Sequence, residues 1–203
     1  MYPSFQPIRL TIGQKEPAAR LLAKAFQDDP MMVFIEPEEG KRSIFLSWLM
    51  GTVANYCILY GEAYTTPDLE GVAGWLPPGY TTPTFWRMLR TGMLVLRLKL
   101  GSAASRRFLA NMIYTEKVHR QAMPEAHWYL WSIGVEPTRQ GQGIGGGLLR
   151  PVLGKASKDN LSCYLETHNS RNLDFYQKFG FEVVSDGVVP KRGLRVWAMI
   201  RKP

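Results

Sequence analysis

Nine residues in the C-terminal half, Arg139-Gln140-Gly141-Gln142-Gly143-Ile144-Gly145-Gly146-Gly147, have the composition of an anion site. Glycine has no Cβ, so successive backbone N–H groups can turn toward one point. A strand before such a run and a helix after it add first-turn amides and the positive end of a helix dipole, which favour a phosphate. The flanks fit that plan. Residues 128–135 are apolar and aromatic, with strand character, and Glu136-Pro137 stops them. A helix-like segment opens from Leu148. The expected chemistry is recognition of a phosphorylated cofactor.

Two kinds of loop fit these glycines. Gly141-x-Gly143-x-x-Gly146 satisfies the dinucleotide fingerprint, and Glu166 stands 20 residues later, where an acid would hold a ribose hydroxyl. That reading makes the chain a nucleotide (NAD/FAD)-dependent oxidoreductase. Its context is poor. Five residues separate Val135 from Gly141, and only 37 residues follow Glu166, too few for the further βα units of a doubly wound domain. The rival loop, Gln140-x-x-Gly143-x-Gly145, is taken up below.

The elements that must position this loop read as follows. Residues 8–12 alternate as a strand. Residues 16–26 place Ala18, Leu21, Leu22 and Ala25 on one helical face. Asp28-Asp29-Pro30 ends that helix, and an acidic loop with one helical turn runs to Gly40. Residues 41–55 form a second helix, and 56–65 and 71–76 a hairpin. Two helices over 82–100 and 102–123 read as an insertion. After the loop come a helix to Lys158, a strand over 161–167, a short helix over 171–179, and strands over 181–184 and 194–199. The resulting fold class is mixed α/β: a largely antiparallel twisted sheet with one parallel βαβ unit and helices on both faces, in a single domain over 1–203.

Composition narrows the function classes. A 203-residue chain that is 45% hydrophobic can bury a full core. Two cysteines and three scattered histidines give no disulfide framework and no metal site. The N-terminus lacks a secretory pattern, and the apolar run over 44–60 is interrupted too often for a membrane span. A cytoplasmic protein without membrane or nucleic-acid partners is expected, as monomer or homodimer. The net charge of +8 is polarised: residues 86–120 carry eight basic side chains and one acid, whereas 25–40 carry five acids and no base. An anionic rim of this kind attracts cations; an ordinary solvated loop has the same composition.

From Leu165 the chain reads LETHNSRNLDFYQKFGFEVV. Asn169, Tyr176 seven residues on, and Gly180-Phe181-Glu182 resemble the second signature of the GNAT superfamily of acyl-CoA N-acyltransferases. Val135-x-Pro137-x-x-Gln140-x-x-Gly143-x-Gly145 resembles its pyrophosphate loop, in the right order and spacing. Residues 128–203 are similar, more narrowly, to puromycin N-acetyltransferase and its relatives, through Arg171-Asn172-Leu173-x-Phe175-Tyr176 and the closing Trp197-x-Met199-x-Arg201-Lys202-Pro203. Ala25-Phe26-x-Asp28-Asp29-Pro30 adds an N-terminal match. The middle, 80–125, does not carry the resemblance, so the acceptor's identity is not implied.

The resemblance implies acetyl-CoA as co-substrate, no metal, and transfer of the acetyl group to a primary amine of a small molecule by direct attack in a ternary complex. A non-catalytic CoA-binding or interaction module is the other reading. The resemblance places Gln140, Gly141, Gln142, Gly143, Ile144, Gly145 and Gly146 at the pyrophosphate, and Ile133, Gly134 and Val135 along the pantetheine arm as an unpaired strand edge. Phe175 and Tyr176 fall beside the thioester. Asn169 and Asn172 either bond the cofactor or cap a helix. Tyr176 is the candidate general acid: a phenol, pKa ~10, stays protonated where a thiol, ~8.5, is leaving. It also reads as a core aromatic. Glu166 is the candidate general base, with a surface salt bridge as its other reading; His168 and His127 are alternates.

Overall fold

A computed structural model describes residues 5–95, 99–190 and 193–203. Its elements run β1 (Ile8–Arg9), α1 (Lys15–Ala25), α2 (Pro30–Ile35), α3 (Glu39–Tyr60), β2 (Glu62–Thr65), β3 (Gly71–Leu76), α4 (Phe85–Thr91), α5 (Ser102–Ala122), β4 (His127–Val135), α6 (Ile144–Lys158), β5 (Ser162–Thr167), α7 (Leu173–Gln177), β6 (Glu182–Val188) and β7 (Arg195–Arg201). The strands form one sheet in the order β1-β2-β3-β4-β5-β7-β6. β4 and β5 run parallel, and the other neighbouring pairs are antiparallel. The mixed sheet with one parallel βαβ unit is therefore as expected. It is not the doubly wound sheet that the dinucleotide reading of the glycines requires.

One core packs α1 and α3 against the sheet through Ala18, Leu21, Leu22, Phe45, Leu46 and Tyr56. A second sets α6 and α7 under β3 to β5 through Trp75, Leu130, Leu148, Leu149, Val152 and Tyr176. With both faces covered, β3 is buried along its whole length, which is why GVAGWL reads as an apolar run rather than an alternation.

Several expected boundaries move. The strand expected over 56–65 begins only at Glu62, because α3 continues to Tyr60. Residues 56–60 contain no breaker, and burial of Tyr56 and Cys57 extends the helix to Gly61. At 22 residues α3 is long and apolar enough, by length and composition, to cross a membrane; here half of that stretch is buried inside the protein. The helix expected over 82–100 stops at Thr91, where Gly92 takes φ +82° and its N–H bonds back to Leu89 and Met88; residues 96–98 lie outside the described part. The first strand is confined to Ile8–Arg9, and β6 runs past Val184 to Val188.

Two irregularities set up the site. Along β3, Gly74 pairs with Ser132 and Trp75 with Leu130, which leaves Trp131 as an extra residue on β4. Such a bulge bends a strand and reverses which side chains face which way beyond it. On the other side, β4 and β5 pair only from His127↔Ser162 to Tyr129↔Tyr164. Past Tyr129 the two strands part. The opened strand is held by α1 pressed against Gly134, where a Cβ would lie 2.9 Å from Ala25 Cβ and Leu22 Cδ2. Gly134→Val is expected to overpack this contact, at about 1–3 kcal/mol, and to lower Tm by several degrees in calorimetry.

Candidate active site

The parting of β4 and β5 opens into a cavity of about 820 Å³. Its floor is β4 from Tyr129 to Ile133 and the end of β5. Its walls come from α3 (Trp48, Met50, Val53), from α5 (Phe108, Asn111, Met112, Thr115) and from the turn into α2 (Phe26, Asp29, Met32). The expected helical insertion thus forms one wall. Ser132 Oγ, on β4 within the cavity, is buried and has no partner among the described residues. A buried hydroxyl left unpaired has its hydrogen-bonding capacity open toward the cavity it lines.

From the cavity β4 leads through Ile133, Gly134 and Val135 to the glycine loop. Gln140 Nε2 donates to Val135 O at 3.2 Å and folds the loop back onto the strand. Gly141 and Gly143 take φ +76° and +81°, a region that a Cβ disfavours. With Gln142 they stand exposed at the surface. The helix starts at Ile144, four residues earlier than the sequence suggested, and its first main-chain bond is Gly147 N–H to Gly143 O at 3.1 Å. The amides of Ile144, Gly145 and Gly146 therefore precede the helical ladder and face outward along the dipole. This arrangement can receive a pyrophosphate. Gly145 and Gly146 have a second reason to lack side chains: a Cβ at Gly145 would crowd the Phe175 ring of the short helix α7, and one at Gly146 would run into the Phe179 ring just after that helix. Arg139 is ion-paired to Glu70 at 2.7 Å and braces the loop.

Across the cavity, α7 presents Tyr176, which is 6% exposed and lines the cavity. Burial, and then the nearby Asp29 carboxylate, push its phenol well above the ordinary tyrosine range. The residue packs as a core aromatic, as one of its two readings has it, and also lines the cavity, where the general-acid reading needs it. Phe175 packs edge-on against it. Asn169 caps the turn before α7 by accepting from Arg171 N–H at 3.1 Å. Asn172 lines the cavity and donates to Thr167 Oγ1 at 3.3 Å.

Glu166 lies at the end of β5 on the same cavity. Tyr129 OH donates to its Oε2 at 2.7 Å and Tyr164 OH to its Oε1 at 2.9 Å. Burial pushes the carboxyl up to about 7, against the pull of these two donors toward the charged form. It forms no salt bridge among the described residues. Glu166 and Tyr176 thus share one cavity 10 residues apart in sequence, a juxtaposition that an acid–base pair requires.

The alternates separate. His168 lines the cavity, where Asn111 Oδ1 accepts from its Nε2 at 2.9 Å and burial pushes it down to about 4. His127 lies outside it, its Nε2 2.8 Å from His119 Nε2 and its Nδ1 2.6 Å from Glu125 O. Of the five acids expected at the rim, only Asp29 lines the cavity; Asp28, Glu38 and Glu39 are exposed. Asp29 caps α2 by accepting from Met31 N–H at 2.9 Å, and burial pushes its carboxyl up to about 6. Sequence reasoning placed Asp29 only among the acids of the rim and read Asp28-Asp29-Pro30 as the end of the preceding helix; the Asp-Pro pair also starts α2, with Asp29 as its cap. Tyr129 and Tyr164 carried no signal, because their meeting with Glu166 depends on strand pairing. Cys163 is buried in β5 with its thiol pushed up to about 12, and Cys57 is buried and pushed higher. Neither has an activated thiolate.

Comparison with known proteins agrees with this geometry. Residues 99–181 match the acetyltransferase (GNAT) family, a span that contains β4, the glycine loop, α6, β5 and α7. An uncharacterized N-acetyltransferase of Schizosaccharomyces pombe is 26% identical over 170 residues, covering 81% of this chain and 69% of that protein. Among solved structures, a histone acetyltransferase HPA2 and related acetyltransferase from Corynebacterium glutamicum superposes with a TM-score of 0.71 at 21% identity, over 99% of this chain and 97% of the other. Arylalkylamine N-acetyltransferase 2 from Aedes aegypti gives a TM-score of 0.62 at 10% identity, over 98% and 99%. The two structures share the fold of this chain.

Proposed function

We propose that this chain, which matches the GNAT acetyltransferase family over residues 99–181 and an N-acetyltransferase at 26% identity, is an acyl-CoA-dependent acyltransferase that moves an acetyl group from acetyl-CoA to a primary amine of a small molecule by direct attack within a ternary complex. The observation that carries this reading is the cavity at the parting of β4 and β5, onto which Tyr176 and Glu166 both open, with β4 running from it to a helix N-terminus of free amides. The pyrophosphate of CoA would rest on the amides from Gly141 to Gly146. Its pantetheine arm would lie along Ile133 to Val135, whose β5 side is open, and the orphaned Ser132 hydroxyl suits an amide of that arm.

In the reaction the neutral amine nitrogen attacks the thioester carbonyl carbon, and the C–S bond breaks. The departing sulfur takes the Tyr176 hydroxyl proton, and the surplus proton on nitrogen passes to Glu166. Release of that proton to solvent and reprotonation of Tyr176 close the cycle. A phenol held above its ordinary range is a poor acid by itself, so its donation is concerted with C–S cleavage. Burial leaves Glu166 half ionised near pH 7, which suits proton capture from an ammonium. With both cysteines buried and protonated, direct attack is simpler than a route through an acyl-enzyme.

Calorimetry of the protein with acetyl-CoA, CoA and NADH tests the reading. Binding of the first two without NADH, followed by thiol release when amines are added, is the expected result; NADH binding alone would overturn it. Tight CoA binding with no transfer to any amine would favour the sensor or interaction-module reading. Gly143→Val places a branched side chain at φ +81°. The strain, about 1–3 kcal/mol, is expected to weaken CoA binding roughly tenfold or more.

A further inference from the structure

We propose that His119 is a positioning residue for Glu166: its ring, locked by His127, holds the two phenols that donate to the carboxylate. The inference rests on the acyltransfer reading, in which Glu166 takes the proton of the amine. Tyr129 and Tyr164 are partners in the last paired register of β4 and β5. Strand pairing therefore ends at the two residues whose hydroxyls must meet Glu166. The end of α5 packs there: Val118, and Met123 just past the helix, join Tyr164 and Ala198 in one buried cluster. It delivers His119, 5% exposed, onto both phenols. The imidazole lies parallel to the Tyr164 ring, with 7° between planes and 4.3 Å between centroids. Tyr129 leans on it at 4.7 Å and 53°. The two phenol rings are 5.6 Å apart, so the three rings close a triangle. Contacts between flat rings fix orientation as well as distance, which aliphatic packing does not.

The imidazole is itself held in one orientation. His127 Nδ1 lies 2.6 Å from Glu125 O, and a carbonyl only accepts, so that nitrogen carries the proton. A neutral His127 then has only a lone pair at Nε2, to which His119 Nε2–H donates at 2.8 Å. Burial, followed by the neighbouring His127 and Arg120, pushes His119 down to about 4, and burial lowers His127 as well. The pair is therefore uncharged near neutral pH, with both tautomers set by one backbone carbonyl. No hydrogen bond joins either imidazole to a phenol among the described residues. The pair acts by packing and passes no proton.

The surrounding charges are few. On α5, Arg120 is ion-paired with Glu116 at 2.6 Å. Glu166 feels Tyr129 from β4, Tyr164 from its own strand and Glu116 from α5, and shares its cavity with Asp29, His168 and Tyr176. Replacing the neutral His119 removes no charge from this set. What it removes is the hold on two donors that favour the ionised carboxyl. Drift of those donors raises Glu166 above its midpoint of about 7. Water admitted into the vacated space would lower it instead, so the sign separates the two effects.

The test follows the Glu166 carboxyl directly, by carbon NMR titration of the full chain labelled at its glutamate carboxyls. The Glu166→Gln spectrum assigns the signal, and the pH profile of kcat/KM is recorded in parallel. His119→Ala is expected to raise the midpoint by roughly half a pH unit or more. The loss of kcat/KM should be largest on the rising limb and smallest at high pH. His119→Phe, which keeps a ring, should bring the midpoint most of the way back. His119→Gln, which keeps a donor for His127 without a ring, should not. If His119→Ala does not fold, the Phe and Gln variants decide between them. An unmoved or lowered midpoint in the variants without a ring, or a Phe variant shifted as far as the Gln one, would overturn the inference. A midpoint that shifts as expected in a protein that releases no thiol with any amine upholds the positioning and sinks the acyltransfer reading.

Discussion

Tyr176→Phe should lower kcat roughly 10²–10⁴-fold and leave acetyl-CoA affinity and Tm near those of the parent. The substitution removes only the hydroxyl. The ring stays against Phe175 and Phe181 in the core under β4 and β5. A structural role alone would therefore leave turnover intact, whereas a donor to the leaving sulfur would not. Two controls sharpen the result. An acetyl ester of a low-pKa thiol, whose thiolate leaves without a proton, should recover much of the lost rate. The hydroxyl's upward shift means that it stays protonated through the assay range, so the parent should show no loss of activity from Tyr176 ionisation below pH 10. Parent-like kcat in Tyr176→Phe would remove it from the chemistry.

The second large effect concerns Glu166. As a base it must be ionised, so kcat/KM should rise with pH through a midpoint near 7, where burial has placed its carboxyl. Glu166→Gln is expected to abolish that limb and to lower the rate at pH 8 roughly 10²–10⁴-fold. The two tyrosines give a test of sign. Each donates a hydrogen bond to the carboxylate and so favours the charged form. Removing one donor, as in Tyr129→Phe, should move the limb to higher pH, with activity lost at pH 7 and regained above pH 8. A change that merely loosened the fold would lower activity across the range without moving the midpoint. Asp29 supplies the rival outcome. If the limb survives in Glu166→Gln with a midpoint near 6, the base is Asp29, whose carboxyl lies at about 6, and Glu166 only positions the amine.

Much of this molecule is written locally. The turns at Gly141 and Gly143, the strand before them and the helix after them follow from glycine's lack of a side chain and from apolar periodicity. The sequence therefore determined the βαβ unit and the left-handed turns of its glycine loop. The spacing of Asn169, Tyr176 and Gly180-Phe181-Glu182 carried the resemblance to the superfamily, and thereby which residues to test as acid and base. Where local preference was balanced, tertiary packing chose. Residues 56–60 suit a helix or a strand, and burial of Tyr56 and Cys57 against the sheet made them the last turn of α3.

Only the tertiary structure decided the rest of the site. No spacing rule joins Tyr129 to Glu166, 37 residues apart; their contact exists because β4 and β5 pair in parallel as far as Tyr129 and then separate. The bulge at Trp131 is likewise a matter of register with β3, invisible along β4 alone. Of five acids between residues 25 and 40, one was turned inward by capping α2 beside the cavity, and the exposed ones kept their water. Which carboxylates lose solvent, and so acquire a proton affinity useful near neutral pH, depends on the surfaces that close over them. Those surfaces are assembled from α3, α5 and the turn into α2, segments far apart in the chain.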